Sequence, residues 1–168
     1  MTGPPGIGKT TLVRRVVERL HGKRLSGFYT EELRGRGGRI GFRIVTLDGR
    51  AARLATLGGG SGPRLGRYTV HVGALDVICE GALLPGPGVE AVVIDEIGKM
   101  ECLSEAFVRA AREALSGGVP VLGTVALAGG AFIAEAKRLP GVEVIGLSRD
   151  NRDEGAGEIA GRIVAALG

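Results

Sequence analysis

The sequence predicts an α/β fold: a mainly parallel sheet with helices on both faces and an antiparallel hairpin insertion. Three observations carry this expectation. Short apolar runs alternate with segments of helical period through most of the chain, the pattern of parallel strands joined by crossover helices. One run, VEAVVID at 89–95, is almost continuously apolar, as a strand covered on both faces must be. The pair Asp48-Gly49 stands between two β-rich runs and marks a two-residue hairpin turn.

Each element has its own signal. Leu12, Val13, Val16, Val17 and Leu20 recur at helical spacing and Gly22 supplies a stop, so a helix is expected up to about residue 21. RLSGFYT at 24–30 reads as a strand, 39–57 as the hairpin, and GGGSGPRLG at 58–66 as a mobile loop. RYTVHV at 67–72 is a strand, and a short helix near 74–84 ends at Pro85-Gly86-Pro87-Gly88. After 89–95, a helix is expected over 103–115, with Phe107, Val108, Ala111 and Leu115 on one side. A strand at 119–125, a helix at 130–139, a strand at 142–147 and a helix at 154–167 complete the series. With 168 residues and no repeat or linker, one domain over 1–168 is expected.

Composition narrows the classes of function. The net charge of +4 is spread, without a Lys/Arg block, and aromatic residues are 4%, so the platforms that stack single-stranded nucleic acid are not evident. Nucleic acid is therefore not an expected partner, whereas a ligand with several phosphates suits a modest basic excess. No apolar run approaches a membrane span and no signal peptide is recognisable, so a cytoplasmic monomer is expected. Cys79 and Cys102 match no metal or disulfide spacing and read as free thiols.

The chemistry lies in two motifs. Residues 3–10 spell G-x-x-x-x-G-K-T, a phosphate-binding loop, and a helix follows at once. Gly3, Gly6 and Gly8 permit backbone angles closed to other residues and leave space for a phosphate. Successive N–H groups then form an anion nest at the positive end of the helix. Lys9 reaches the β- and γ-phosphates, Thr10 offers its hydroxyl to Mg²⁺, and Thr11 meets the α-phosphate. The glycines superficially resemble a dinucleotide fingerprint, but the Lys-Thr pair argues for the phosphate loop, and no Tyr-x-x-x-Lys follows Tyr29 or Tyr68. The second motif, AVVIDEIGKME at 91–101, delivers Asp95 at the C-terminal end of a strand, where open α/β sheets bind ligands. Asp95 is a candidate Mg²⁺ ligand, and Glu96 a candidate to orient or deprotonate an attacking water. The expected nucleotide site is Gly3, Pro4, Pro5, Gly6, Ile7, Gly8, Lys9, Thr10 and Thr11 with Asp95, Glu96, Ile97 and Gly98. Lys9 and Glu96 are its catalytic candidates.

Other positions carry weaker signals. Lys99 and Glu101 either line the same mouth or pair at a helix start. Thr124 either senses the γ-phosphate or only ends a strand. Asn151 and Arg152 follow the last strand, a position for contact with base or phosphate or for a plain turn. Glu31, Glu32 and Arg34 read best as a solvated loop, and His21 and His71 as structural.

Seven segments in this order, TGPPGIGKTTL, GFYTEELR, GFRIVTLDG, GRYTV, VVIDEIGKME, VLGTV and RDNRD, are together more specific. By these the chain resembles, over essentially its whole length, the small nucleoside-triphosphatase family first associated with thermophiles, which includes the human cancer-related nucleoside triphosphatase. The resemblance implies a RecA/AAA-like core and slow, Mg²⁺-dependent hydrolysis of nucleoside triphosphates with broad base tolerance. It assigns the nucleotide site to 3–10 and to the stretch around Asp95 and Glu96. A nucleotide or small-molecule kinase, or a nucleotide-dependent switch acting with nucleic acid, is the alternative. One departure stands out. The family has an apolar strand before TGPPG, and only Met1 and Thr2 stand there here. The first strand is expected to be missing or truncated, through a start upstream of Met1, a trimmed chain, or a vestigial strand at Met1 and Thr2.

Overall fold

The computed structural model describes residues 1–151 and 155–166. The first helix, Lys9–Arg19 (α1), starts inside the glycine loop and buries Leu12, Val13 and Val16 on one stripe. A long strand, Leu25–Gly35 (β1), turns into Gly38–Thr46 (β2) and then Ala51–Leu57 (β3). Arg64–Leu65 (β4) and Tyr68–Val70 (β5) lead to the helix Val72–Ala82 (α2). Then come Ala91–Ile97 (β6), a 3-10 turn at Glu101–Leu103, and Glu105–Ser116 (α3). The described chain closes with Val121–Val125 (β7), Ala131–Ala136 (α4) and Gly155–Ala166 (α5).

The strands form one sheet in the order β4-β5-β3-β2-β1-β6-β7. β6 runs parallel to β1 and to β7, whereas β1–β2, β2–β3, β3–β5 and β5–β4 are antiparallel. The sheet is therefore mixed, and its antiparallel part is larger than one hairpin. Helices cover both faces, as expected. On one face Val92 and Ile94 of β6 meet Leu75 and Ile78 of α2 and Phe107 and Ala111 of α3 in one apolar cluster. On the other, Ala91 and Val93 of β6 pack with Val13 and Val16 of α1 and Ile159 and Ile163 of α5. Alternation along one strand thus feeds both cores.

Local chemistry explains the departures from the predicted elements. Asp48-Gly49 does mark the hairpin, but four residues, 47–50, lie between β2 and β3. Gly49 adopts φ +90° and its N–H bonds to the Thr46 carbonyl, while Asp48 accepts from the Thr46 hydroxyl. The longer loop uses the same left-handed residue that a two-residue turn needs. The 58–66 stretch, expected as a loop throughout, contains β4, because Arg64 and Leu65 pair with Thr69 and Tyr68. Glu31, Glu32 and Arg34 belong to β1, not to a loop.

The largest departure is at 142–147, which forms no regular strand. Met1 and Thr2 lie between β7 and this segment: Val125 N donates to the Met1 carbonyl (2.8 Å), Thr2 N to the Ile145 carbonyl (2.9 Å), and Leu147 N to the Thr2 carbonyl (2.8 Å). The Met1 amino group donates to the Gly123 carbonyl at 2.7 Å. Thr2 and Gly146 form an isolated parallel bridge. Beside Met1 lies a slot of about 520 Å³, lined by Val121, Gly123, Val144 and Ile145 and by Ile159 and Ile163 of α5.

Two outcomes are expected. Gly27 of β1 has φ +112°, and a Cβ there would lie 1.9 Å from the Val93 carbonyl oxygen. Gly27→Ala should therefore break the β1–β6 pairing and destabilise by about 3 kcal/mol or more, measured by urea unfolding; a loss no larger than an ordinary surface change would contradict the close approach. Second, an extended apolar segment fused ahead of Met1 should fill the slot. Each buried backbone group it pairs recovers about 1–3 kcal/mol, which should raise the melting temperature by roughly 5 °C or more. A melting temperature no higher than that of the 168-residue chain would count against the slot.

Candidate active site

The phosphate loop takes its shape from glycine. Gly6 and Gly8 adopt φ +77° and +105°, angles that side chains with a Cβ rarely reach, and neither has any atom within 4 Å of where a Cβ would stand. Gly8 is the N-cap of α1 and no side chain caps the helix, so its first N–H groups stay open to a ligand. Gly3 is buried, and an added Cβ would press on Ile7 and on the Leu147 carbonyl at 3.1 Å. Pro4 and Pro5 are exposed at the crest, and Ile7 N bonds back to the Pro4 carbonyl at 3.3 Å. Thr10 is half-buried and Thr11 exposed in the first turn. The Lys9 ammonium lies folded across the loop, donating to the carbonyls of Gly3 (3.1 Å) and Pro4 (3.4 Å).

Opposite the loop, β6 ends in Asp95 and Glu96. The peptide between them is cis, and the register against β7 shifts between Ile94 and Ile97. Asp95 is 1% exposed. Its Oδ1 accepts from the Thr124 hydroxyl at 2.6 Å, while its Oδ2 is buried without a partner. Burial pushes this carboxyl above the usual carboxylate range; hydrogen bonding from Thr124, Thr10 and the Thr30 amide, and the Lys9 charge, oppose the rise. Glu96 is partly open, with its Oε1 3.9 Å from the Lys9 ammonium. Its carboxyl is also raised, first by burial, with the Lys9 charge opposing and Asp95 reinforcing. Ile97 is buried and its carbonyl accepts from Ala126 N at 3.1 Å. A Cβ on Gly98 would lie 2.6 Å from Glu101 Oε2, so the loop passes close over that carboxyl.

The structure brings Lys9, Thr10, Asp95, Glu96 and Thr124 together. An orphaned, buried carboxylate oxygen with a threonine hydroxyl nearby is a donor set of hard oxygens, which fits Mg²⁺ with phosphate and water completing its shell. Among the described residues no group of three or more His, Cys, Asp and Glu is arranged to hold a metal alone. Lys99 and Glu101 line one cavity beside Glu96, of about 190 Å³, with Thr30, Phe42, Leu54, Leu65, Gly98, Met100 and Ala126. Lys99 is exposed there, whereas Glu101 is buried, and burial first, then the charges of Glu96 and Asp95, push its carboxyl up to about 8. Asn151 is used structurally: its side chain accepts from Ser148 N and donates to the Gly146 carbonyl, and its carbonyl accepts from Gly155 N at the start of α5. Arg152 lies outside the described residues. Sequence reasoning did not single out Thr30, Phe42, Leu54 and Leu65 as neighbours of Glu96. Thr30 and Phe42 lay in the GFYTEELR and GFRIVTLDG segments only as family motifs, and Leu54 and Leu65 lay in none.

A glycine loop running into a helix, facing a buried aspartate at the end of a parallel strand, defines a phosphate-loop nucleotide-binding domain. Residues 1–160 match the family model described as NTPase. The chain is 40% identical over 169 residues to the cancer-related nucleoside-triphosphatase of Homo sapiens, covering 91% of this chain and 89% of that protein. It is 37% identical to the nucleoside-triphosphatase THEP1 of Methanosarcina acetivorans, covering 100% of this chain and 97% of that one. The crystal structure of THEP1 from the hyperthermophile Aquifex aeolicus superimposes with a TM-score of 0.85 at 37% identity over 96% of each chain. The chain belongs to this nucleoside-triphosphatase family, as its motifs implied. Among the described residues no helix is long and apolar enough to cross a membrane.

The buried Glu101 carboxyl has a consequence for stability. Folded, it holds its proton up to about pH 8; unfolded, it ionises near its ordinary value of 4.5. Between these the unfolded state binds fewer protons, so this group makes stability fall as pH rises. Urea unfolding should show a loss on the order of a few kcal/mol between about pH 5 and pH 8. Glu101→Gln, which mimics the protonated group, should flatten that slope; an unchanged slope would remove Glu101 as its source.

Proposed function

We propose that this chain is a Mg²⁺-dependent nucleoside-triphosphatase that converts nucleoside triphosphates to diphosphate and phosphate through the loop at 3–10 and the Asp95-Glu96 pair. The observation that carries this reading is the position of Glu96. Its carboxylate stands 3.9 Å from the Lys9 ammonium, so the group that would meet the γ-phosphate and the group that would meet its attacker are neighbours. Open N–H groups of the loop and of the first turn of α1 bind the phosphates and orient the chain of three. Lys9 moves from the loop carbonyls to the β- and γ-phosphates and offsets the charge that builds there. The Thr10 hydroxyl and Asp95 would hold Mg²⁺, which would supply neutralisation of the phosphate charge. Thr124 holds the Asp95 carboxylate in place through the 2.6 Å hydrogen bond. Glu96 orients a water for in-line attack and takes its proton, a task eased by a carboxyl whose affinity for protons is raised.

Ile97 and Gly98 shape the turn beside the γ-phosphate, and Pro4, Pro5 and Ile7 complete the loop. Broad base tolerance with slow turnover follows the family. The proposal places this activity in a single domain over 1–168, in a cytoplasmic monomer with free Cys79 and Cys102. A nucleic-acid partner is disfavoured, because Arg14, Arg34, Arg39 and Arg43 are engaged with Glu31 and Glu32.

Phosphate release from ATP, GTP, CTP and UTP tests the reading. Release is expected from all four and should stop on chelation of Mg²⁺. Glu96→Gln should retain nucleotide and lose about 10²–10⁴ in turnover, and Lys9→Ala should lose nucleotide binding itself. Undiminished turnover in Glu96→Gln would falsify its role.

A further inference from the structure

The space beside Glu96 is larger than hydrolysis requires. Attack on a γ-phosphate consumes one water, and the adjoining cavity of about 190 Å³ holds well more than one. Much of its wall is apolar: Phe42, Leu54 and Leu65 from the antiparallel insertion line it with Met100 and Ala126. A cavity with apolar walls and a few polar side chains is the usual description of a small-molecule site. The polar side chains here are Thr30, Glu96, Lys99 and Glu101. Glu96 therefore borders two spaces, the cavity on one side and the Lys9 ammonium on the other.

We propose that this cavity is an acceptor site for a small alcohol with an apolar body, to which the enzyme passes the γ-phosphoryl group in place of water. The inference rests on the placement of the γ-phosphate between Lys9 and Glu96 proposed above. The alcohol lies with its body against Phe42, Leu54 and Leu65 and its hydroxyl toward Glu96. The Glu96 carboxylate takes the hydroxyl proton as the alcohol oxygen bonds to the γ-phosphorus. The bond from that phosphorus to the β,γ-bridging oxygen breaks, the oxygen keeps the electron pair, and nucleoside diphosphate leaves. The products are a phosphate monoester and the diphosphate, and Glu96 returns its proton to solvent. Size sets the class of acceptor. Sites for drug-sized ligands enclose about 300–1,000 Å³, so a nucleoside or a peptide exceeds this space while a compact monoalcohol fits. Lys99 at the exposed end accommodates an anionic substituent on the acceptor.

The test uses the full chain with γ-labelled ATP, Mg²⁺ and benzyl alcohol, separating labelled benzyl phosphate from inorganic phosphate. Benzyl phosphate should form with saturable dependence on the alcohol and account for about a tenth or more of the phosphoryl groups transferred, the advantage of a bound over a dissolved acceptor. Leu65→Trp fills the cavity and should lower the ratio of ester to phosphate by about tenfold; Leu65→Phe serves if the larger residue prevents folding. Ester formation that never saturates, or a ratio unchanged by both variants, overturns the acceptor site and leaves the triphosphatase standing. If neither ester nor phosphate forms, the triphosphatase reading fails, and the cavity is judged by ligand-observed NMR of benzyl alcohol with Mg²⁺ and a non-hydrolysable ATP analogue. Saturation transfer to the alcohol that Leu65→Trp abolishes supports the site; no transfer with the unmodified chain overturns it.

Discussion

The nucleotide end of this sheet depends on holding one carboxylate out of water. Asp95 is 1% exposed at the end of β6, and an ion taken that far from solvent costs several kcal/mol unless partners compensate. The Thr124 hydroxyl on Oδ1 is one partner, and the Lys9 charge another. One oxygen remains unsatisfied. A fold that keeps such a group spends stability on it, and the return proposed here is a strong, pre-oriented site for a cation and its phosphates.

The neighbouring strands follow from that requirement. β6 can place Asp95 inside only because both its faces are covered, by α2 and α3 on one side and by α1 and α5 on the other. β7 must lie in register to present Thr124. β1 must approach closely enough for the Thr30 amide to oppose the carboxyl's rise, and glycine at 27 removes the side chain that would collide with Val93. The β7 flank is the thinnest part of the arrangement. There Met1 and Thr2 alone bridge β7 to 145–147, and their backbone hydrogen bonds also anchor the first residues of the phosphate loop.

The antiparallel insertion contributes in a different way. Its exposed ion pairs, Arg14 and Arg43 with Glu31 at 2.5 Å each, join α1 to β1 and β2, but pairs so open to solvent are each worth little. Its apolar face does more. Ile44, Leu54 and Tyr68 extend the core, and Phe42 meets Tyr68 edge-on with ring centres 5.3 Å apart. The same face walls the space beside Glu96. A single carboxylate thereby stands near Lys9 and in the wall of that space, and the proposed hydrolysis and transfer both rest on its position.

Much of this was readable from local signals. The phosphate loop is contiguous, so its glycines, Lys9 and Thr10 announce themselves without tertiary information. The apolar run before Asp95 declares a buried strand by composition alone, and helical periodicity located α1 and α3. What could not be read depends on pairing between distant segments. Whether 142–147 becomes a strand depends on pairing with a segment about 140 residues away in sequence, and there Thr2 and Gly146 form an isolated bridge. β4 exists only because Thr69 and Tyr68 offer it partners. For Glu101 the sequence left open a place at the site mouth or at a helix start; it opens the 3-10 turn after β6 and is buried beside Gly98, in the wall of the cavity at Glu96. The cavity beside Glu96 draws residues from six separated stretches of chain. The sequence by itself determined the phosphate cradle and its facing acid, since both are local patterns. Only the tertiary structure decided what else stands beside that acid, because burial and enclosure are set by long-range packing.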